Sequence, residues 1–127
     1  MSRLKQPKFK DKKYGRWIHE NMVCCVTGNP YPDPHHIVLE CDSGMALKQP
    51  DHFQMALSHE LHVQIHQVGW KEFESIHGVT QKQMVAETLL AAHSMGRLNI
   101  SDLAEAGHIP DWLLNEITNF CGEGHNV

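Results

Sequence analysis

Two pairs of histidines frame a polar loop in the stretch from Asp33-Pro34-His35-His36-Ile37 to Leu61-His62-Val63-Gln64-Ile65-His66. The loop between them ends with Lys48-Gln49-Pro50-Asp51 and is rich in residues that favour turns. Residues four apart on a helix lie on one face, so His62 and His66 can hold one cation between them. The stretch therefore predicts two strands and a helix that meet at a small metal site.

The doublet His35-His36 offers two different side chains to such a site. Successive strand residues point to opposite faces, so only one of the two is expected to be a third metal ligand. The other is available as a base, and hydrolysis of a phosphodiester uses both a base and a cation. His59 is expected to face away, on the exposed first turn of the helix. An H-x-x-x-H alone is more often surface histidine or structural zinc, but the added doublet and loop favour a metal-dependent nuclease.

Turn residues and hydrophobic spacing divide the remaining chain into short elements. Strand segments are predicted at residues 22–26, 36–39 and 53–57. Helices are predicted at residues 14–21, 58–67, 70–78, 81–95, 101–105 and 111–120, with Gly69 and Gly78 as stops and Ser58, Thr80 and Ser101 as caps. On this basis residues 1–13 are expected to be a flexible basic arm, 14–78 the core, and 79–127 a helical extension packed on that core.

The composition indicates one soluble domain of 127 residues. No apolar run is long enough to span a bilayer and no signal peptide is recognisable, so we expect a cytoplasmic protein without a membrane partner. Four cysteines are too few and too irregular for a secreted disulfide scaffold; we expect reduced thiols, with Cys24, Cys25 and Cys41 buried.

Positive charge is concentrated at the start of the chain. Of eleven Lys and Arg residues, seven lie in the first sixteen positions, where Asp11 is the one acidic residue, although the whole chain has a net charge of −4. Such an arm would grip phosphates with sequence-independent, salt-sensitive affinity, or would be a solubilising tail. The residues predicted to bind nucleic acid are Lys5, Lys8, Lys10, Lys12, Lys13 and Arg16.

The order of these residues resembles that of the HNH (ββα-metal, His-Me finger) nucleases, and within them the small phage and prophage recombination nucleases of the Ref and DUF968 type. The resemblance covers roughly residues 14–78. It implies an α+β fold, with a ββα-metal core and additional N- and C-terminal helices. By position, it implies that one divalent ion (Mg²⁺, Mn²⁺ or Zn²⁺) is held by His35, His62 and His66. It also implies that His36 is the general base, Asp51 orients it, and Lys48 contacts phosphate.

One departure from this pattern concerns a second, structural zinc. Relatives of this type often hold it with a C-x-x-C before the histidine doublet and a further Cys and His at the start of the metal helix. Here Cys24 keeps the first position, but Thr27, Ser58 and Leu61 occupy the other three. The structural zinc is therefore expected to be absent.

The resemblance implies a metal-dependent DNA endonuclease that acts in phage or prophage DNA recombination or processing, in the cytoplasm of a bacterial host. The implied partners are DNA and a recombinase or other recombination protein, and the C-terminal helices would offer an oligomer surface. The alternative is a DNA- or protein-binding recombination accessory factor whose histidine cluster is a structural zinc site or vestigial. A histidine beside a ligand serves catalysis but adds nothing to structural zinc, so His36 discriminates between the two.

Overall fold

A computed structural model describes residues 9–38 and 49–124 of the chain. These residues form five α-helices and a two-stranded sheet, which confirms the α+β class. In chain order the elements are α1 (Tyr14–Asn21), β1 (Asp33–His36), β2 (Gln54–Leu57), α2 (His59–His77), α3 (Gln81–Ser94), α4 (Ile100–Glu105) and α5 (Asp111–Gly124). Within the described residues, no helix has both the length and the apolar composition needed to span a bilayer.

The two strands are antiparallel, with His35 opposite Met55 and His36 opposite Gln54. The first strand lies earlier than the predicted 36–39, because Pro34 is tolerated within it. Pro34 stands opposite Ala56, whose N–H donates to Thr88 Oγ1 and whose carbonyl accepts from Cys25 N. Because both backbone groups of Ala56 are already bonded, the absence of a backbone N–H on Pro34 leaves no backbone group of Ala56 unpaired.

The segment 22–26 is not the predicted strand end. Val23 makes an isolated bridge to Pro30, and the backbone then turns at Gly28, which has a φ of 78°. The N–H of Gly28 donates to the carbonyl of Cys24 at 3.0 Å. The turn brings Cys25 beside β2, where its N–H donates to the carbonyl of Ala56.

The sheet separates two apolar clusters. On one side Tyr14 and Ile18 of α1 pack with Ala56 and Ala92. Helix α1 comes close to the sheet at Gly15, where a Cβ atom would lie 3.2 Å from Gln54 Oε1. The other side holds the larger cluster, in which α2, α3, α4 and α5 contribute alongside the sheet: Ile37, Met55, Leu57, Leu61, Ile65, Phe73, Met84, Val85, Leu89, Leu103, Leu113 and Ile117.

Helix α2 is interrupted at Gly69, whose φ of 83° and ψ of 165° are non-helical. Residues with a side chain rarely adopt this φ, so glycine permits the break. The helix ends at Gly78, in the left-handed conformation. The sequence prediction of two helical pieces ended by these two glycines is confirmed in the backbone angles, and the break places Trp70 next to the sheet and Phe73 in the core.

Helix α3 begins with a capping box in which Thr80 and Gln83 exchange hydrogen bonds. Four of its buried residues, Met84, Val85, Ala86 and Leu89, belong to the larger apolar cluster, and Ala92 belongs to the smaller one, so the helices after residue 79 complete the core. One detail of this region was predicted wrongly, because Asn99, not Ser101, caps α4. The spacing of Trp112, Leu113, Ile117 and Phe120 also predicts a buried stripe on α5, but Phe120 is 48% exposed.

Residues 9–13 lie against the core, so the prediction of a flexible arm does not hold for them. The backbone N–H of Asp11 donates to Asp51 Oδ2 at 2.7 Å, and the N–H of Asp51 donates to the carbonyl of Phe9 at 3.2 Å. The carboxylate of Asp11 accepts two hydrogen bonds from Arg97, at 2.7 and 2.8 Å. The rest of the predicted arm, residues 1–8, lies outside the described residues.

Candidate metal and catalytic site

His35 lies on the face of the sheet that is covered by α2. Its ring centroid is 4.7 Å from that of His62 and 5.4 Å from that of Trp70, both edge-on. The Nδ1–H of His35 donates to the carbonyl of His36 at 2.8 Å, which leaves Nε2 with the lone pair. Burial lowers the pKa of His35 and the neighbouring histidines lower it further, which favours the neutral imidazole that binds metals.

His62 and His66 lie on one face of α2, as their spacing predicts, with ring centroids 5.1 Å apart. The structure therefore brings His35, His62 and His66 side by side; we call these three the histidine cluster. Their ring nitrogens are less tightly gathered than those of a finished metal site. Among the described residues, the group whose ligand atoms all lie within 4.8 Å of one another is Asp33, His59 and His62.

Asp33 binds two histidines of α2 through one oxygen. The Nδ1 atoms of His59 and His62 lie 3.0 and 3.2 Å from Asp33 Oδ2. Partial burial acts to raise the pKa of Asp33, but the two histidine hydrogen bonds outweigh it and hold the pKa below its ordinary value. Asp33 was not among the predicted site residues, and the prediction that His59 faces away is wrong, because His59 is exposed but turned toward Asp33.

A signal for both residues was present in the sequence. Asp33 is two positions before His35, and alternate strand residues share a face. His59 is three positions before His62, and such residues are neighbours on a helix. The pairing of the two strands was needed to show that this strand face meets α2.

His36 points away from the cluster, to the opposite face of β1. Its Nε2 lies 3.4 Å from Asp51 Oδ1, so the predicted base and the predicted orienting residue are neighbours. Both line a cleft of about 470 Å³ together with Gln54 and the exposed Lys10 and Lys12. The arrangement sets one imidazole, one carboxylate and two cationic side chains around a space that is open to solvent.

Of the other residues predicted to bind nucleic acid, the structure describes Lys13 and Arg16. Lys13 and Arg16 line a shallow depression next to the cleft, and Arg16 pairs with Glu20 at 3.1 Å on the exposed side of α1. Lys5, Lys8 and Lys48 lie outside the described residues.

The four positions that were compared with the ligands of a structural zinc include Cys24. Its buried Sγ accepts hydrogen bonds from the backbone N–H groups of Val26 and Thr27, both at 3.4 Å. Leu61 belongs to the same apolar cluster as Cys24. Cys24 is therefore held by hydrogen bonds and by apolar packing. Of the other cysteines predicted to be buried, Cys25 is partly buried and Cys41 lies outside the described residues.

Arg97→Gln is expected to lower the free energy of unfolding by about 1 kcal/mol at neutral pH, because it removes the paired hydrogen bonds to Asp11. The Arg97 guanidinium lowers the pKa of Asp11, although burial opposes it. Because the pKa of Asp11 is lower in the folded than in the unfolded state, its ionised carboxylate stabilises the folded protein above about pH 4. This stabilisation is lost as the pH falls through the lowered pKa. Urea denaturation should therefore show the difference at pH 7 and little of it near pH 2.

Arg16→Gln is the matched control, because it removes an exposed pair between residues four apart. It should change the stability by no more than about 0.5 kcal/mol. Equal stabilities of Arg97→Gln and the wild type at pH 7 would show that the contact does not hold the segment 9–13.

Comparison with known proteins gives a family and one distant relative. The model of a family described as "Protein of unknown function (DUF968)" matches residues 1–96. The "Uncharacterized protein YdfU" of Escherichia coli (strain K12) is 32% identical over 62 residues. These residues are 49% of this chain and 18% of that relative, so the chain spans less than a fifth of the relative's length. No solved structure matches the chain.

Proposed function

The chain belongs to the DUF968 family, and we propose that it is a metal-dependent DNA endonuclease of the HNH type. The observation that carries the proposal is the division of the doublet between the two faces of β1. His35 lies beside His62 under α2, whereas His36 lies beside Asp51 in the cleft. A purely structural metal site has no use for the second arrangement.

His36 is the proposed general base. The carboxylate of Asp51 accepts from Nε2–H of His36, which leaves the lone pair on Nδ1 to take a proton from water. The separation of 3.4 Å is long for a hydrogen bond, and such contacts in a site without substrate often shorten when the substrate binds. Asp51 is itself held by the N–H of Asp11, so the orienting carboxylate has a fixed position.

The histidine cluster is the proposed metal site. His35 and His62 both use Nδ1 for a hydrogen bond to protein oxygen, so both keep Nε2 for a metal. His66 is exposed and its ring lies next to that of His62, so it would supply the third ring nitrogen. A divalent ion bound there would stabilise negative charge on the phosphate and on the leaving oxygen. An all-imidazole set favours an ion such as Zn²⁺ over Mg²⁺, which prefers oxygen ligands.

DNA is the proposed substrate because the cleft that contains the base also presents positive charge. Lys10 and Lys12 are exposed at its rim, and they attract phosphates irrespective of sequence. A role in phage or prophage recombination, with a recombinase as partner, stays a prediction from the resemblance. An oligomer surface on the C-terminal helices also stays a prediction, made from the sequence of these helices, where Leu114 and Phe120 are about half exposed.

The test is cleavage of supercoiled plasmid and of circular single-stranded DNA by the purified chain with Mg²⁺, Mn²⁺ or Zn²⁺, and with EDTA. We expect nicked and linear products with at least one cation and none with EDTA. Absence of cutting with every cation, combined with tight zinc binding and unfolding on zinc removal, would support the accessory factor with a structural zinc instead.

A further inference from the structure

We propose that Asp33, His59 and His62 form a second cation site, which competes with the histidine cluster for His62. The proposal rests on the proposed function in so far as the histidine cluster is the catalytic metal site. The second site itself rests only on contacts between described residues. The ion would be one that accepts both nitrogen and oxygen ligands, such as Zn²⁺.

The three ligand atoms are close to the positions that an ion requires. Bonds of about 2.0–2.2 Å to zinc separate neighbouring ligands of a tetrahedral site by roughly 3.3–3.5 Å. The Nδ1 atoms of His59 and His62 already lie 3.0 and 3.2 Å from Asp33 Oδ2, and one ligand atom of each of the three residues lies within 4.8 Å of the other two. An ion therefore needs only small shifts of the three side chains, and water would complete its coordination.

His62 connects the two sites through its two ring nitrogens. A neutral imidazole has one lone pair, so it binds one ion at a time. When Nδ1–H of His62 donates to Asp33, Nε2 carries the lone pair and faces the histidine cluster. When an ion binds at Nδ1, the proton moves to Nε2, and His62 no longer serves the cluster.

Asp33 therefore has two roles that exclude each other. With no ion beside it, its carboxylate orients His62 toward His35 and His66, as carboxylates often do behind metal-binding histidines. With an ion beside it, the same oxygen becomes a ligand. One chain would hold one tightly bound ion, in one site or the other.

The test measures zinc binding by competition with a chromophoric chelator, using His59→Gln, His66→Gln and the double variant. The wild type should bind one zinc ion per chain. Each single variant should still bind one ion, because each leaves one site intact. The double variant should bind at least about 10–100-fold more weakly, the range seen when even an outer partner of a metal site is lost.

A second double variant, His66→Gln with His93→Gln, is the matched control, because His93 is an exposed histidine outside both sites. It should bind zinc as tightly as His66→Gln alone. Loss of zinc in His66→Gln alone would overturn the second site, and so would unchanged affinity in the His59→Gln/His66→Gln variant. Two tightly bound ions in the wild type would overturn the competition.

Cleavage assays on the same proteins separate this inference from the proposed function. His59→Gln should cut DNA at least as fast as the wild type, since it frees His62 for the cluster, whereas His66→Gln should bind zinc but not cut. If no protein cuts but the zinc affinities follow the expected pattern, the second site stands and the nuclease proposal fails. If the wild type cuts but the double variant still binds zinc tightly, the nuclease proposal stands and the second site fails.

Discussion

His36→Ala is expected to slow metal-dependent DNA cleavage by about 10²–10⁴-fold, the usual contribution of a positioned general base. The side chain is half-buried in the cleft, and it makes its hydrogen bond to Asp51 and not to the histidine cluster. Folding and zinc binding should therefore be unchanged. Single-turnover cleavage of a labelled duplex, at saturating metal, measures the effect on chemistry without a contribution from product release.

His93→Ala controls for the loss of an imidazole, because His93 is exposed and lies in neither the cleft nor the cluster. It should cleave at the wild-type rate. The zinc-to-protein ratio should match between the two variants, whereas His93→Ala should lose a little thermal stability, because the Nδ1 of His93 accepts a hydrogen bond from the N–H of Ile100. If His36→Ala cleaves at the wild-type rate, His36 is not the general base. If His36→Ala loses zinc, His36 is a metal ligand instead.

His62→Ala is expected to abolish both cleavage and tight zinc binding. His62 is 4.7 Å from His35, 5.1 Å from His66 in ring separation, and 3.2 Å from Asp33 Oδ2 through Nδ1, so it belongs to both proposed sites. Zinc affinity should fall by at least about 10–100-fold, whereas His59→Gln and His66→Gln alone retain it. The side chain is about one-third exposed, so truncation should not prevent folding.

His77→Ala is the control on the same helix. His77 lies at the end of α2, where its Nε2 bonds to Gln64, and it contacts neither proposed site. It should bind zinc and cut DNA as the wild type does, with a modest loss of stability. Tight zinc binding by His62→Ala would show that the metal is held elsewhere in the chain.

The helices were predictable because their ends carry local chemical signals. Thr80 and Gln83 form the capping box that begins α3, and glycine at positions 69 and 78 marks the break and the end of α2. The i, i+4 spacing of His62 and His66 likewise needs no tertiary information. Alternation along a strand correctly separated His35 from His36 before any partner strand was known.

The remaining features depend on contacts between distant parts of the chain. Pro34 sits within a strand because both backbone groups of Ala56 bond to other elements, which no local pattern reveals. Asp33 joins His59 and His62 in a group that could hold a metal ion only because its strand face meets the first turn of α2. The docking of residues 9–13 was missed because a run of lysines is typical of a disordered tail. The residue that holds this segment against the core is Asp11, its one acidic residue.

The bond between Asp11 and Arg97 joins residues 86 positions apart and has a consequence for protein synthesis. His36 and Asp51 leave the ribosome long before Arg97 does. A growing or prematurely ended polypeptide that has not reached Arg97 therefore carries His36 and Asp51 but lacks the contact that fastens Asp11 to Arg97. The segment 9–13, which lies beside Asp51 in the cleft, can therefore reach its final position only after residue 97 has been made.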